Sequence, residues 1–319
     1  MPRSGRITAA VHEVRTPRLE WWTLLALLCA LVEGALFVVP QTRPGGLLPV
    51  LCWYFGRSRL LWLTIAASVA IAGFCWSARR PPFLNRWRVT GYLVLSALAA
   101  CPLGFQVYPS SHDRTPSSIA FRLPFDGPVT VGWGGATPSV NYHVIAPDQR
   151  WAYDLAITKD DNSFRGDGRR LDDYYTYGVP VYSPADGMVH AVSDGAPDLA
   201  IGAVYSGTNV CGNHVVLEVA PHQYLFLCHL KPGSIVVKNG DHLKAGQALG
   251  RAGNSGNSSE PHLHMHLQDG PKLHVAEAIP LYFHAYLVGN RLIERGIPTG
   301  GVAQQIVENA RPRADAGNR

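Results

Sequence analysis

The sequence predicts a mainly β soluble domain, an antiparallel sheet or barrel-like sandwich, preceded by α-helical transmembrane segments. Three observations carry this reading. Long apolar runs are confined to the first third of the chain, short β-type runs alternate with Gly, Pro and Asn turns in the remainder, and the charge divides at the same boundary. Residues 1–107 hold eleven Arg, no Lys and three Glu, a net of +8, whereas residues 108–319 hold seventeen basic and twenty acidic groups, a net of −3. The overall +5 of this 319-residue chain thus joins two unlike pieces. A nucleic-acid partner is excluded on this ground, because a phosphate-binding domain concentrates its positive charge on the folded part. With 47% hydrophobic and 16% charged residues the chain is not disordered. Six Cys are too sparse for a disulfide scaffold.

Three apolar segments, 21–40, 60–76 and 91–107, are close to the roughly 17 to 25 residues that cross a hydrocarbon core. The first carries one charge, Glu33, and the others none. Glu33 has no basic neighbour in its segment and reads as a packing or lumen-facing group rather than a catalytic one. A fourth run, 47–55, contains Pro49 and is too short to span, so it is expected to be interfacial or re-entrant. A cleaved signal peptide is disfavoured, because no small-x-small site follows the first run before Pro40 and two further spans come after it. Arginine sets the orientation. Three spans with residues 1–20 in the cytoplasm put Arg3, Arg6, Arg15, Arg18, Arg79, Arg80, Arg86 and Arg88 inside and only Arg43, Arg57 and Arg59 outside. The C-terminal domain is then extracytoplasmic.

Residues 108–120, rich in Ser and Pro, read as a linker, and residues 121–297 as the soluble domain. Within it, β-type runs fall at 129–133, 151–157, 179–182, 187–192, 214–219, 224–230, 248–252 and 262–268. Turn chemistry separates them, as in Ser183-Pro184-Ala185-Asp186-Gly187 and Gly253-Asn254-Ser255-Gly256-Asn257. Residues 158–177 hold five Asp but neither the spacing nor the glutamate of a calcium loop, and are expected to be a solvated insertion. Residues 298–319 are polar and Arg/Asn/Gly-rich and are expected to form a flexible tail.

The chemistry concentrates in His262-Leu263-His264-Met265-His266. Alternation in a strand puts the three histidines on one face and Leu263 and Met265 on the other. Three imidazoles on one face suit metal coordination or acid–base work better than packing. Asp154, set in the apolar run before Leu155-Ala156-Ile157, needs a partner, which a metal would supply. His143 lies upstream of it, and His229 ends another β-type run. Cys211 and Cys228 flank a predicted hairpin. They could be disulfide-bonded, inert, or zinc thiolates.

Taken in order, these blocks resemble the lysostaphin/LytM-type zinc metallopeptidases, whose members cut peptide bonds in bacterial cell walls. The resemblance runs from about residue 141 to 270, through His143 with Asp154, Gly178-Val179-Pro180-Val181, Gly212-Asn213-His214, Cys228-His229-Leu230, Asn239-Gly240-Asp241 and Pro261-His262-Leu263-His264. A lone His-x-His is weak, but the ordered series is specific. It implies one zinc per chain held by His143, Asp154 and His264, with His229 and His262 as catalytic histidines. One departure stands out: ten residues separate His143 from Asp154 where the family usually has three. His266 falls at a position that varies in the family and is expected to be a supporting or exposed group.

The function these features imply is a membrane-anchored zinc metalloendopeptidase in the bacterial cytoplasmic membrane, acting on peptidoglycan peptides or another envelope peptide. An alternative is a catalytically silent binding or regulatory module of the same fold, whose members typically lose ligands. A biotinyl or lipoyl carrier shares some of the turn blocks but needs a lysine at a hairpin tip, which is missing, and leaves the histidines unexplained.

Overall fold

The structure is a computed structural model that describes residues 18–43 and 45–310. Arg3, Arg6 and Arg15 of the expected cytoplasmic end, and residues 311–319 of the expected tail, lie outside the described residues. Among the described residues four helices come first: α1 Trp21–Thr42, α2 Leu47–Gly56, α3 Arg59–Ser77 and α4 Arg86–Ala100. Twelve strands follow: β1 Val129–Trp133, β2 Tyr153–Ala156, β3 Pro180–Tyr182, β4 Gly187–Ser193, β5 Asn213–Ala220, β6 Gln223–Leu230, β7 His242–Leu243, β8 Ala248–Arg251, β9 Leu263–Gln268, β10 Phe283–Val288, β11 Arg291–Gly296 and β12 Ile306–Asn309.

The chain divides into two compact units. One holds the described residues up to Leu36 together with Gly56–Gly104, and the other holds Phe37–Phe55 and the described residues from Phe105.

In the helical unit, α1 and α3 are long and apolar enough to cross a membrane. The Trp22 ring, fully buried, packs over Gly91 of α4, where an added Cβ would lie 2.4 Å from the indole. Arg88 is buried too, paired with Glu20 at 2.8 Å and donating to the carbonyls of Arg80, Pro82 and Phe83 beyond the end of α3. The third expected span, 91–107, differs from α4 at both ends. Asn85 caps the helix by accepting from the Trp87 and Arg88 amides, so it starts earlier. Pro102 lies in the 3-10 turn Cys101–Leu103 that follows it, where a ring nitrogen has no proton for a further helical bond.

The second unit is built on one antiparallel sheet of ten strands, in the order β11-β10-β12-β1-β2-β9-β6-β5-β4-β7, with β3 and β8 forming a separate pair. Alternation along β9 sends Leu263, Met265 and Leu267 into the core, where they meet Leu155, Leu225, Leu227, Val215 and Leu217 from β2, β6 and β5. Each side chain in this layer removes enough apolar surface from water to contribute roughly 1.5–3 kcal/mol. The opposite face carries Asp154 on β2 and His264, His266 and Gln268 on β9, beside a second, smaller apolar cluster of Cys211, Val216, Phe226 and Cys228. Residues 298–310 are not a free tail: β12 pairs with β1 and β10, Val307 is 1% exposed, and the Asn309 amide bonds the backbone of Leu123 and Phe125. The short Ile306-Val307 pair, hidden in polar sequence, gives too little periodicity to be read as a strand.

Helix α2 also belongs to this unit. Val50 and Trp53 are buried and Leu47, Leu48, Leu51 and Phe55 exposed, so two apolar faces serve different surroundings. Trp53 donates its indole N–H to the Ile145 carbonyl at 2.8 Å, and Phe37 stacks on Phe105 at 4.0 Å.

Candidate metal centre and active site

Sheet register brings the site together. Asp154 on β2 is the direct partner of His264 on β9, and His264 in turn is the partner of Cys228 on β6. His143 arrives from outside the sheet, on the 3-10 turn Tyr142–Ile145 that Asn141 caps. The ten residues between His143 and Asp154 include this turn and the loop that returns the chain to β2. His262 immediately precedes β9, and His229 lies near the end of β6 in the left-handed region at φ 64. That conformation is costly for a β-substituted residue. It is held by the His229 amide donating to the Cys211 carbonyl at 2.9 Å and by the Gly253 amide donating to the His229 carbonyl at 2.9 Å.

The potential ligand atoms of His143, Asp154 and His264 lie within 4.8 Å of one another, and all three residues are buried. His264 Nδ1 is 2.8 Å from Asp154 Oδ1, His143 Nε2 is 3.6 Å from Oδ2, and His262 Nε2 is 3.7 Å from Oδ1. The His229 ring stands 4.8 Å from that of His262 and 5.8 Å from that of His264.

Hydrogen-bond chemistry fixes the proton on the three flanking rings. His229 Nδ1 meets the Ser255 carbonyl at 2.7 Å and His262 Nδ1 meets the Glu260 carbonyl at 2.7 Å. A carbonyl only accepts, so both Nδ1 atoms carry hydrogen and both Nε2 atoms are free to accept. The Asn141 amide nitrogen donates to the Gly135 and Ala152 carbonyls, which leaves its oxygen to accept from His143 Nδ1 at 3.0 Å. His143 Nε2 therefore also presents a lone pair. Gly212 (φ 61) lies against Ser255, where an added Cβ would come 2.4 Å from the Ser255 carbonyl carbon, so a side chain there would push aside the group that holds His229.

Burial pushes the His143 imidazolium pKa down to about 3 and that of His229 well below the usual histidine value. Both rings are neutral at pH 7, as ligands and proton acceptors must be. Burial alone would raise Asp154, yet the imidazoles of His143, His262 and His264 around it hold its carboxyl well below the ordinary range. A buried carboxylate with two inward lone-pair nitrogens is a donor set of the kind that binds zinc with an open fourth position. The residues present fit that ion.

His143, His229, His264 and His266 line a cavity of about 230 Å³. So do Tyr142 and His274, which sequence reasoning passed over. The Tyr142 ring lies 3.9 Å from that of His143, and His274 is tied to Asp148 through its backbone amide at 2.7 Å. Cys211 and Cys228 form a disulfide with 4.9 Å between Cα atoms and line the same cavity, so neither is a thiolate ligand. His266, expected to be a supporting or exposed group, is 1% exposed. Asn141, Ser255 and Gln268, which orient the histidines, were not singled out either. Asn141 had a readable signal, an Asn placed to cap the turn that follows it. A second cluster, His112, Asp269 and Glu277, is occupied by protein donors: the Glu277 carboxylate accepts from Tyr108, from Gly45 and from both the amide and hydroxyl of Ser111.

Residues 171–275 match the model of Peptidase family M23. The matched segment includes His229, His262 and His264 and stops short of His143 and Asp154. The domain is similar to a zinc-containing peptidase from Vibrio cholerae, at 23% identity and a TM-score of 0.32 over 51% of this chain and 38% of that one. It is also similar to a variant of the catalytic domain of the prophage-encoded M23 protein EnpA from Enterococcus faecalis, at 23% identity and 0.33 over 50% and 94%. The catalytic domain of the antimicrobial peptidase lysostaphin from Staphylococcus simulans matches at 21% identity and 0.28 over 46% and 84%.

Proposed function

We propose that this chain is a membrane-anchored zinc metalloendopeptidase that hydrolyses peptide bonds of peptidoglycan cross-links. The observation that carries this reading is the convergence of His143, Asp154 and His264 within 4.8 Å, with the Nε2 atoms of His229 and His262 free beside them. The match of residues 171–275 to Peptidase family M23 supports the reaction class. Two apolar helices support the anchor, and the disulfide supports an oxidising, extracytoplasmic location.

His143, Asp154 and His264 would hold the zinc. When bound, the ion polarises the scissile carbonyl and acidifies its water. Proton handling belongs to the flanking histidines. His262 Nε2 can accept the proton of the attacking water, and the Asp154 carboxylate 3.7 Å away stabilises the imidazolium that results. That imidazolium then donates to the leaving amine. His229, more deeply buried and held neutral, accepts at Nε2 and orients the water. No His-Glu-x-x-His occurs in the sequence, so histidine takes the role that glutamate has in that other zinc class.

The test is digestion of purified wall peptides by the zinc-loaded full chain in detergent, read by mass spectrometry. New amino termini within the cross-link are expected. Zinc bound at one per chain with no cleavage would overturn the enzyme reading in favour of the silent module.

A further inference from the structure

Strand β9 carries His264, His266 and Gln268 on one face, and all three are buried. Their side chains form a single file. The Gln268 amide nitrogen donates to the carbonyls of Gly270 at 2.6 Å and Lys272 at 3.0 Å, and turning the amide over would set its oxygen against two other oxygens. The orientation of Gln268 is therefore fixed, and Oε1 faces His266 Nε2 at 3.2 Å. An amide oxygen only accepts, so His266 carries its proton on Nε2 and leaves Nδ1 as a lone pair. That lone pair meets His264 Nε2 at 3.0 Å, which puts a proton on His264 Nε2. The remaining nitrogen, His264 Nδ1, then meets Asp154 Oδ1 at 2.8 Å with a lone pair; both atoms only accept, so this proton-free approach is one that a cation bound by both would bridge.

His264 is thus the opposite of its neighbours. His143, His229 and His262 each carry the proton on Nδ1, bonded to Asn141, Ser255 and Glu260, and direct Nε2 inward. Of these four, only His264 must direct Nδ1 inward, and among the described residues no backbone carbonyl is hydrogen-bonded to its Nε2. We propose that His266 and Gln268 are positioning residues that lock His264 in the tautomer whose Nδ1 lone pair faces the metal. This assignment rests on the reading of His264 as a ligand. Stacking of His266 on Phe226, with ring centroids 4.9 Å apart and planes 8° from parallel, holds the relay ring in place. Partners of this kind hold a ligand's tautomer and ring orientation.

The experiment measures zinc affinity of the full-length chain in detergent by competition with a chelator, alongside thermal unfolding of the metal-free chain. His266→Phe keeps an aromatic ring on Phe226 and removes the acceptor; it leaves Gln268 Oε1 and the His264 Nε2–H unpaired, which lowers the metal-free melting temperature, and it weakens zinc binding of the folded chain by about 10- to 100-fold. His266→Asn places an amide oxygen where Nδ1 sits and restores the wild-type affinity. Should His266→Phe fail to fold, Gln268→Met removes the acceptor one step further away and is expected to weaken zinc binding in the same direction. Wild-type affinity in His266→Phe, or in Gln268→Met, or an Asn variant as weak as the Phe variant, overturns the assignment while leaving the ligand set intact. A wild-type chain that binds no zinc overturns the ligand set itself, and the relay with it.

Discussion

Asp154 and His264 face each other across adjacent antiparallel strands, with Oδ1 and Nδ1 at 2.8 Å. Their pairing is a consequence of register, because a one-residue slip of β9 against β2 would turn His264 into the apolar core and leave Asp154 without it. The other face of β9 supplies Leu263, Met265 and Leu267 to that core, so His264 can be truncated without removing a core side chain. His264→Ala is expected to abolish zinc binding and reduce peptide hydrolysis to background, with the far-ultraviolet circular dichroism of the wild type. Hydrolysis persisting in this variant would sink the proposed site.

Ligands and proton carriers separate by a different pair of variants. His262→Ala and His229→Ala leave His143, Asp154 and His264 in place and should keep one zinc per chain. Their turnover is expected to fall by about 10²- to 10⁴-fold, the usual contribution of a positioned acid or base. Loss of zinc in either variant would make that histidine a ligand instead.

The disulfide closes a segment of sequence separation 17 that ends beside His229. Chain-entropy arithmetic gives about 3 kcal/mol of stabilisation for a loop of this size. Cys228→Ser should lower the urea midpoint accordingly. It should also lower turnover, since the Cys211 carbonyl that bonds the His229 amide at 2.9 Å is no longer tethered. An unchanged midpoint would show that the bridge contributes nothing to the fold.

Much of the site was legible because it obeys short-range rules. Alternation alone placed His264 and His266 on one face and Leu263 and Met265 on the other, in line with Leu263 and Met265 lying in the apolar core while His264 and His266 meet Asp154 and Gln268. What was not legible depends on distant parts of the chain. That Asn141 would orient His143 by bonding Gly135 and Ala152 at the same time requires three segments to converge. The strand at 306–309 draws its stability from β1 and β10 rather than from its own pattern. Run 47–55, too short to span and holding Pro49, reads as interfacial or re-entrant, and nothing in its pattern signals that Trp53 reaches Ile145.

Acid should destabilise the metal-free chain in a window set by its buried imidazoles. His143 is pushed by burial from 6.5 to about 3, and His229 and His266 also lie well below 6.5. Below pH 6.5 the unfolded chain takes up protons that these native rings refuse, so stability is fully present above 6.5 and declines toward pH 3. Asp154 acts with the same sign at lower pH, since its carboxyl is depressed from 3.8 and must be protonated for the chain to unfold in acid. Thermal melts of the metal-free chain should be flat above about pH 7 and fall steadily below 6.5. A melting temperature constant from pH 7 to 5 would contradict the neutral burial of these histidines.

The last prediction concerns helix α2 and the turn that presents His143. Trp53 is fully buried, its ring 5.3 Å from Tyr108 and 5.9 Å from Phe37, and its indole N–H satisfies the carbonyl of Ile145 at the end of that turn. Trp53→Phe keeps most of the ring contacts but leaves the Ile145 carbonyl unpaired, at a cost of roughly 1–3 kcal/mol. Trp53→Ala adds a cavity and should cost roughly 3–5 kcal/mol. Because Ile145 lies two residues from His143 in the same turn, both variants should also weaken zinc binding, the Ala variant more. Chemical denaturation and chelator competition on the same samples separate the two effects. Zinc affinity equal to wild type in a destabilised Trp53→Ala chain would show that α2 supports the domain without positioning its first ligand.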